Sequence, residues 1–139
     1  GLMRLSTSVN RLNAYKEALA EYGIPVEEDL IQMGNSLSQS AVPLVEKLLD
    51  KKCTAIVASN NMMLDDVLYY LSSQKIQLGT DLVLLGQTVE GRKNYYARDV
   101  RMILQPSKEI GQTAGKQILE RIRNPETPVR TTVLHSVLL

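Results

Sequence analysis

At 139 residues, 44% of them hydrophobic, the chain is long enough to bury one core without staples and too apolar for disorder. Sixteen Lys and Arg against 15 Asp and Glu, a formal net charge of +1, argue against a strong nucleic-acid binder. A single cysteine, Cys53, excludes an internal disulfide framework and fits a reducing compartment. No apolar run reaches the length of a membrane span, so the chain reads as soluble and cytoplasmic, with no membrane partner.

Helix and strand patterns alternate along the chain. Residues 1–5, GLMRL, look like the tail of a strand whose partners lie outside the sequence. Ser8 is placed to cap a first helix in which Leu12, Tyr15, Ala18, Leu19 and Tyr22 recur at helical spacing, and Gly23 and Pro25 stop it. Leu30 to Met33 is a short strand candidate, ended by Gly34. A second helix is expected from Ser40 to Lys51, with Pro43 in its first turn and Leu44, Val45, Leu48 and Leu49 on its apolar face. Thr54 to Ala58, continuously apolar, reads as a strand buried on both faces. A helix follows with Asp65 and Asp66 in its first turn, at the positive end of the dipole. Asp81 to Leu85 is a third strand, closed by Gly86, and Arg101 to Leu104 a fourth. Pro106 and Ser107 open a helix ending near Arg123, and TTVLHSVLL closes the chain as a β-like run. Strands alternating with helices at this pitch imply an α/β fold, a parallel sheet flanked by helices with right-handed crossovers.

Function concentrates at TAIVASNNMMLDDVL. Ser59, Asn60 and Asn61 leave the carboxyl end of a parallel strand, where open α/β sheets bind ligands. Adjacent carboxamides suit hydrogen bonding to a neutral, hydroxyl-rich small molecule better than they suit chemistry. Nothing supports catalysis. The chain has no Gly-rich phosphate loop, no metal-ligand cluster and no nucleophile elbow, so neither enzyme activity nor a cofactor is expected. Asp65 and Asp66, adjacent on a helix, do not face one another as an acid–base pair.

Four motifs in order resemble the C-terminal part of the effector-binding region of LacI/GalR-type transcriptional repressors. They are SVNRLNAYKEALAEYGI, TAIVASNNMMLDDVL, DLVLLGQT and VRMILQPSKEIGQTAGKQILERI, together covering nearly the whole chain. The resemblance implies a periplasmic-binding-protein-like fold of two lobes, of which residues 1–139 hold mostly the C-terminal one. It implies that the helix 107–123 belongs to the N-terminal lobe, that the final strand 129–139 crosses back, and that a DNA-reading helix-turn-helix lies upstream. It also implies a homodimer whose small-molecule effector, a carbohydrate or its derivative, closes the lobes and so modulates DNA binding. In that family Arg11 aligns with an Arg that bonds effector hydroxyls or anionic groups, and Asn60 with a loop Asn that contacts the effector. Asn61 falls where Asp is commoner, and Gln105 stands at the hinge strand near the ligand. Thr88 occupies the place of an Asp that grips the sugar, and Ser36 lies near an aromatic platform position. Leu64 and Asp66 replace small residues of the following helix.

Each assignment has a plainer rival. Asn60 and Asn61 also fit a helix cap and turn, Arg11 a solvated surface residue, Gln105 a loop exit and Thr88 a turn. The basic, tyrosine-bearing loop of Arg92, Lys93, Tyr95, Tyr96 and Arg98 reads as a phosphate or nucleic-acid patch or as a solvated loop. His135 is expected at a sheet edge or in solvent, and Cys53 as a structural thiol. In the helix 107–123, Ile110, Ala114, Ile118 and Ile122 are expected to be exposed, and to pack on another copy of the chain or refold onto the remaining lobe. A secreted solute-binding protein of the same fold is the alternative function, and an enzyme on a Rossmann-like sheet a more distant one.

Overall fold

The computed structural model describes residues 5–35, 37, 39–91 and 99–139. The strand tail before Leu5, Ser36 and the loop residues 92–98 lie outside them. The elements are α1 (Ser6–Glu21), a 3-10 turn (Glu28–Leu30), α2 (Val42–Asp50), β1 (Ala55–Val57), α3 (Asn61–Ser72), β2 (Val83–Val89), β3 (Val100–Gln105), α4 (Ser107–Arg123) and β4 (Val137–Leu138). The strands form one sheet in the order β1-β2-β3-β4. β1, β2 and β3 run parallel, and β4 pairs antiparallel with β3 through Ile103↔Leu138 and Leu104↔Val137. The sheet is therefore mixed, parallel at its centre with a short antiparallel edge.

Several boundaries move from the sequence expectations, each for a local reason. Ser8 does not cap α1; the cap lies three residues earlier, at Leu5, whose carbonyl accepts from Ser8 N–H at 3.0 Å. At the other end Gly23, at φ 68°, and Ile24 donate back to Ala20 and Leu19, the paired bonds of a Schellman stop. Leu30 to Met33 is not a strand. Leu30 and Ile31 give their N–H groups to i−3 carbonyls in the 3-10 turn, and the residues after it join no ladder. α2 begins at Val42 rather than Ser40. The carboxylate of Asp66 on α3 accepts from Gln39 N–H at 2.7 Å and Ala41 N–H at 3.0 Å, fixing the turn in front of that helix. Asp65 and Asp66 accordingly lie beyond the first turn of α3, which starts at Asn61.

β1 is buried on one face only. Ile56 is in the core, whereas Val57 is 56% exposed, because among the described residues no helix buries a residue against that face, which is also open at Val83 of β2. β2 does not end at Gly86 but runs through it to Val89. Gly86 marks a close approach of strand and helix, not a terminus: a Cβ built there falls 2.6 Å from Leu64 Cδ1. The core lies on this side of the sheet, where Val45 of α2 and Leu64, Val67 and Leu71 of α3 cover Ile56, Leu82, Leu84 and Met102.

α4 spans Ser107–Arg123 and buries none of its residues. Ile110, Ala114, Ile118 and Ile122 are exposed, as is His135. What α4 touches is the arm that follows it, through Gln117 to Thr132 at 2.8 Å and Arg130 to Glu120 at 2.5 Å. Most of residues 129–139 is not strand; the ladder is confined to Val137 and Leu138. Among the described residues no helix is long and apolar enough to cross a membrane.

Candidate functional site

Three parallel strands end on one edge of the sheet, and their exits carry the polar residues of interest. Val57 pairs with Leu85, and Ala58 N–H donates to Leu85 O at 2.8 Å, so Ser59, Asn60 and Asn61 leave β1 level with Gly86. Gln87, Thr88 and Val89 continue past that level, and Gln105 closes β3 opposite Val89. The fold thus gathers Asn60, Asn61, Thr88 and Gln105 along the carboxyl edge.

Asn60 caps α3. Its backbone is extended, at φ −156° and ψ 169°, and its Oδ1 accepts from Met63 N–H at 3.0 Å. The cap aims the turn: it fixes the carboxamide at the mouth of the sheet, and Asn61 begins the helix beside it. Arg11, 48 positions earlier, reaches the same turn from α1 and donates from Nη1 to Ser59 O at 2.8 Å. It is a part-buried brace for the turn, not a freely solvated residue.

Thr88 is 3% exposed and lies within β2, so it is a strand residue rather than a turn. Gln105 is the last residue of β3, and its Nε2 donates to Gln87 Oε1 at 2.6 Å. Gln87 was missed by sequence reasoning. Its signal was a polar side chain interrupting the apolar run DLVLLGQT, two residues after Leu85 and hence on the same face of the strand. The pair ties the ends of β2 and β3 with donors and acceptors but no charge. Among the described residues there is no metal-ligating cluster of three His, Cys, Asp or Glu. The basic loop 92–98 and Ser36 lie outside the described residues.

A cavity of about 200 Å³ lies beside this edge and includes Ser59 and Met63, but not Arg11, Asn60, Asn61, Thr88 or Gln105. Cys53 also lines it; burial pushes that thiol above its ordinary pKa, which favours the inert protonated form.

Comparison with known proteins places this geometry. A family model described as a periplasmic binding protein-like domain matches residues 2–138. The HTH-type transcriptional repressor PurR of Vibrio cholerae is 28% identical over 127 residues, 90% of this chain and 38% of the relative. The ribose operon repressor of Haemophilus influenzae is 27% identical over 136 residues, 96% of this chain and 41% of its own length. Among solved structures, the Escherichia coli transcriptional repressor ascG superposes with a TM-score of 0.85 at 26% identity, covering all of this chain and 51% of that one. The chain spans about two fifths of the length of these curated relatives.

Proposed function

Since the chain belongs to the periplasmic binding protein-like domain family, in the form found in LacI-type transcriptional repressors, we propose that it is the effector-sensing part of a cytoplasmic transcriptional regulator. The observation that carries this reading is the carboxyl edge itself. Asn60 and Asn61 at the exit of β1, with Gln87, Thr88 and Gln105 on β2 and β3, offer carboxamides and a hydroxyl along one edge. Such a wall suits a neutral polyhydroxylated molecule, a carbohydrate or close derivative, that both donates and accepts hydrogen bonds.

In this reading α4 belongs to an N-terminal lobe supplied by the rest of the polypeptide, and the effector sits between the lobes. Asn60, Asn61 and Gln105 contact it directly, Arg11 keeps the Ser59 carbonyl and hence the turn in place, and Thr88 contributes its hydroxyl at the buried end. Binding shifts the population between open and closed lobes in a homodimer, and that shift reaches DNA through a helix-turn-helix outside this chain. The ribose operon repressor among the relatives supports a sugar effector, and PurR supports a role in transcriptional repression.

Calorimetric titration of the complete regulator with monosaccharides, disaccharides and purine bases tests the reading. The expected result is saturable binding of a neutral sugar, weakened at least tenfold by Asn60→Ala or Gln105→Ala, with weak or undetectable binding by residues 1–139 alone. Binding confined to the purine bases, or unaffected by either substitution, overturns it.

A further inference from the structure

The hydrogen bond between Gln87 and Gln105 joins two carboxamides at the carboxyl edge, and its direction matters. Register places Gln87 opposite Ile103 and Gln105 opposite Val89, so the two glutamines are diagonal neighbours on one face of the sheet. One strand spacing and two residues of rise separate such neighbours by roughly 8 Å, a gap that two long side chains close. Gln105 Nε2 donates to Gln87 Oε1 at 2.6 Å, between residues 18 positions apart in sequence. Alternation along β2 turns Gly86 and Thr88 to the buried side, where Leu64 of α3 packs, and leaves Gln87 half-buried on the other. Gln87 is no part of the hydrophobic core.

A glutamine amide carries two N–H donors and one oxygen with two lone pairs. Committing an N–H of Gln105 to Gln87 sets the plane of that amide and turns its oxygen away from Gln87. Gln105 then presents an acceptor, which suits a hydroxyl that donates. A glutamine lacking such a bond swings about a broad, roughly two-fold terminal torsion, exchanging oxygen for nitrogen. Immobilising a rotamer-rich side chain opposes binding. Here Gln87 removes that freedom before any effector arrives.

We propose that Gln87 is a positioning residue for effector binding: it acts through Gln105, holding that amide with its oxygen outward so that the site selects a ligand hydroxyl able to donate there. This role rests on the carbohydrate reading above, in which Gln105 touches the effector. The bond itself lies wholly within residues 87–105 of this chain, so it is measurable with no effector present.

Two readouts test it. In the 139-residue chain labelled with ¹⁵N, the two Gln105 side-chain amide protons are expected to be well separated in chemical shift, with one slow to exchange with water. Gln87→Leu is expected to bring both to the values of a free amide. Gln87→Glu, which keeps an acceptor at the same reach, is expected to preserve the separation. The second readout is calorimetric titration of the complete regulator with ribose, glucose and cellobiose. Gln87→Leu is expected to weaken whichever of these sugars binds by about three- to tenfold, and Gln87→Glu to restore it to within about twofold. Added to Gln105→Ala, Gln87→Leu is expected to weaken binding no further, since its effect passes through the Gln105 amide. The urea midpoint is expected to hold in each variant; a mere tie between strands would lower the midpoint and leave affinity alone. A Gln105 spectrum indifferent to Gln87→Leu overturns the proposal. So does a sugar affinity that Gln105→Ala lowers and Gln87→Leu does not, which leaves the carbohydrate reading standing. Failure of all three sugars to bind overturns that reading and the role in binding with it, and a Gln105 spectrum still set by Gln87 then places the failure in the reading.

Discussion

Leu64 and Gly86 show how one helix residue dictates one strand residue. Leu64 is 1% exposed and sits on the Cα of Gly86, leaving no space for a methyl group. Gly86→Ala is expected to lower unfolding stability by about 1–3 kcal/mol through overpacking, measured by urea denaturation. Adding Leu64→Ala should make the pair less damaging than the sum of the single changes, because the truncated side chain vacates the space the new methyl needs. Asp66 makes a comparable case with hydrogen bonds: Asp66→Ala leaves the Gln39 and Ala41 N–H groups without their acceptor, at an expected cost of about 1–3 kcal/mol. Cys53 gives a pH prediction. Burial raises its pKa, so the folded state holds the proton more tightly than the unfolded one. Stability contributed by this group is intact below the ordinary thiol range and declines as the pH rises through it toward the raised value. Alkylation by iodoacetamide at neutral pH should be slower than for an unfolded cysteine and should accelerate in denaturant, while Cys53→Ala removes the thiol's share of the alkaline loss.

At the scale of elements, local signals were legible wherever a short stretch of chain settles its own conformation. The stop of α1 at Gly23 was one, since a left-handed residue followed by bonds to Ala20 and Leu19 is local chemistry. Gly23→Ala is expected to cost about 1 kcal/mol by thermal unfolding, because φ is 68° there. The span of α4 and the alternation of strands with helices were legible for the same reason. Features set by partners distant in sequence were not. Gly86 looked like a terminator because the reason for it, Leu64, lies on another element. Asp66 looked like a helix-dipole residue, although its partners are 25 and 27 positions earlier. Thr54 to Ala58 read as doubly buried from its apolar run, yet covering its second face depends on neighbours that leave Val57 open. At the carboxyl edge Asn60 was visible from its motif, whereas Gln87 emerged only once the register set it beside Gln105.

At the scale of the whole molecule, surface area is the telling quantity. The chain exposes 9986 Å², whereas a compact 15.5 kDa monomer is expected to expose roughly 7,200 Å², an excess of roughly 2,800 Å². Part of it is the unburied face of α4, where Ile118 is 60% and Ile122 70% exposed. Sedimentation velocity of residues 1–139 is expected to show association that strengthens with concentration, and Ile118→Asp with Ile122→Asp to reduce it without loss of helical content. A strictly monomeric chain at high concentration with α4 still solvated runs against that expectation. Within the part that is well packed, the Asp66 carboxylate has a mechanical consequence. It grips the backbone just ahead of α2 from the second turn of α3, the helix whose first turn holds Asn60 and Asn61. The two helices are therefore tied through one carboxylate, so a displacement of α3 draws on the backbone that leads into α2.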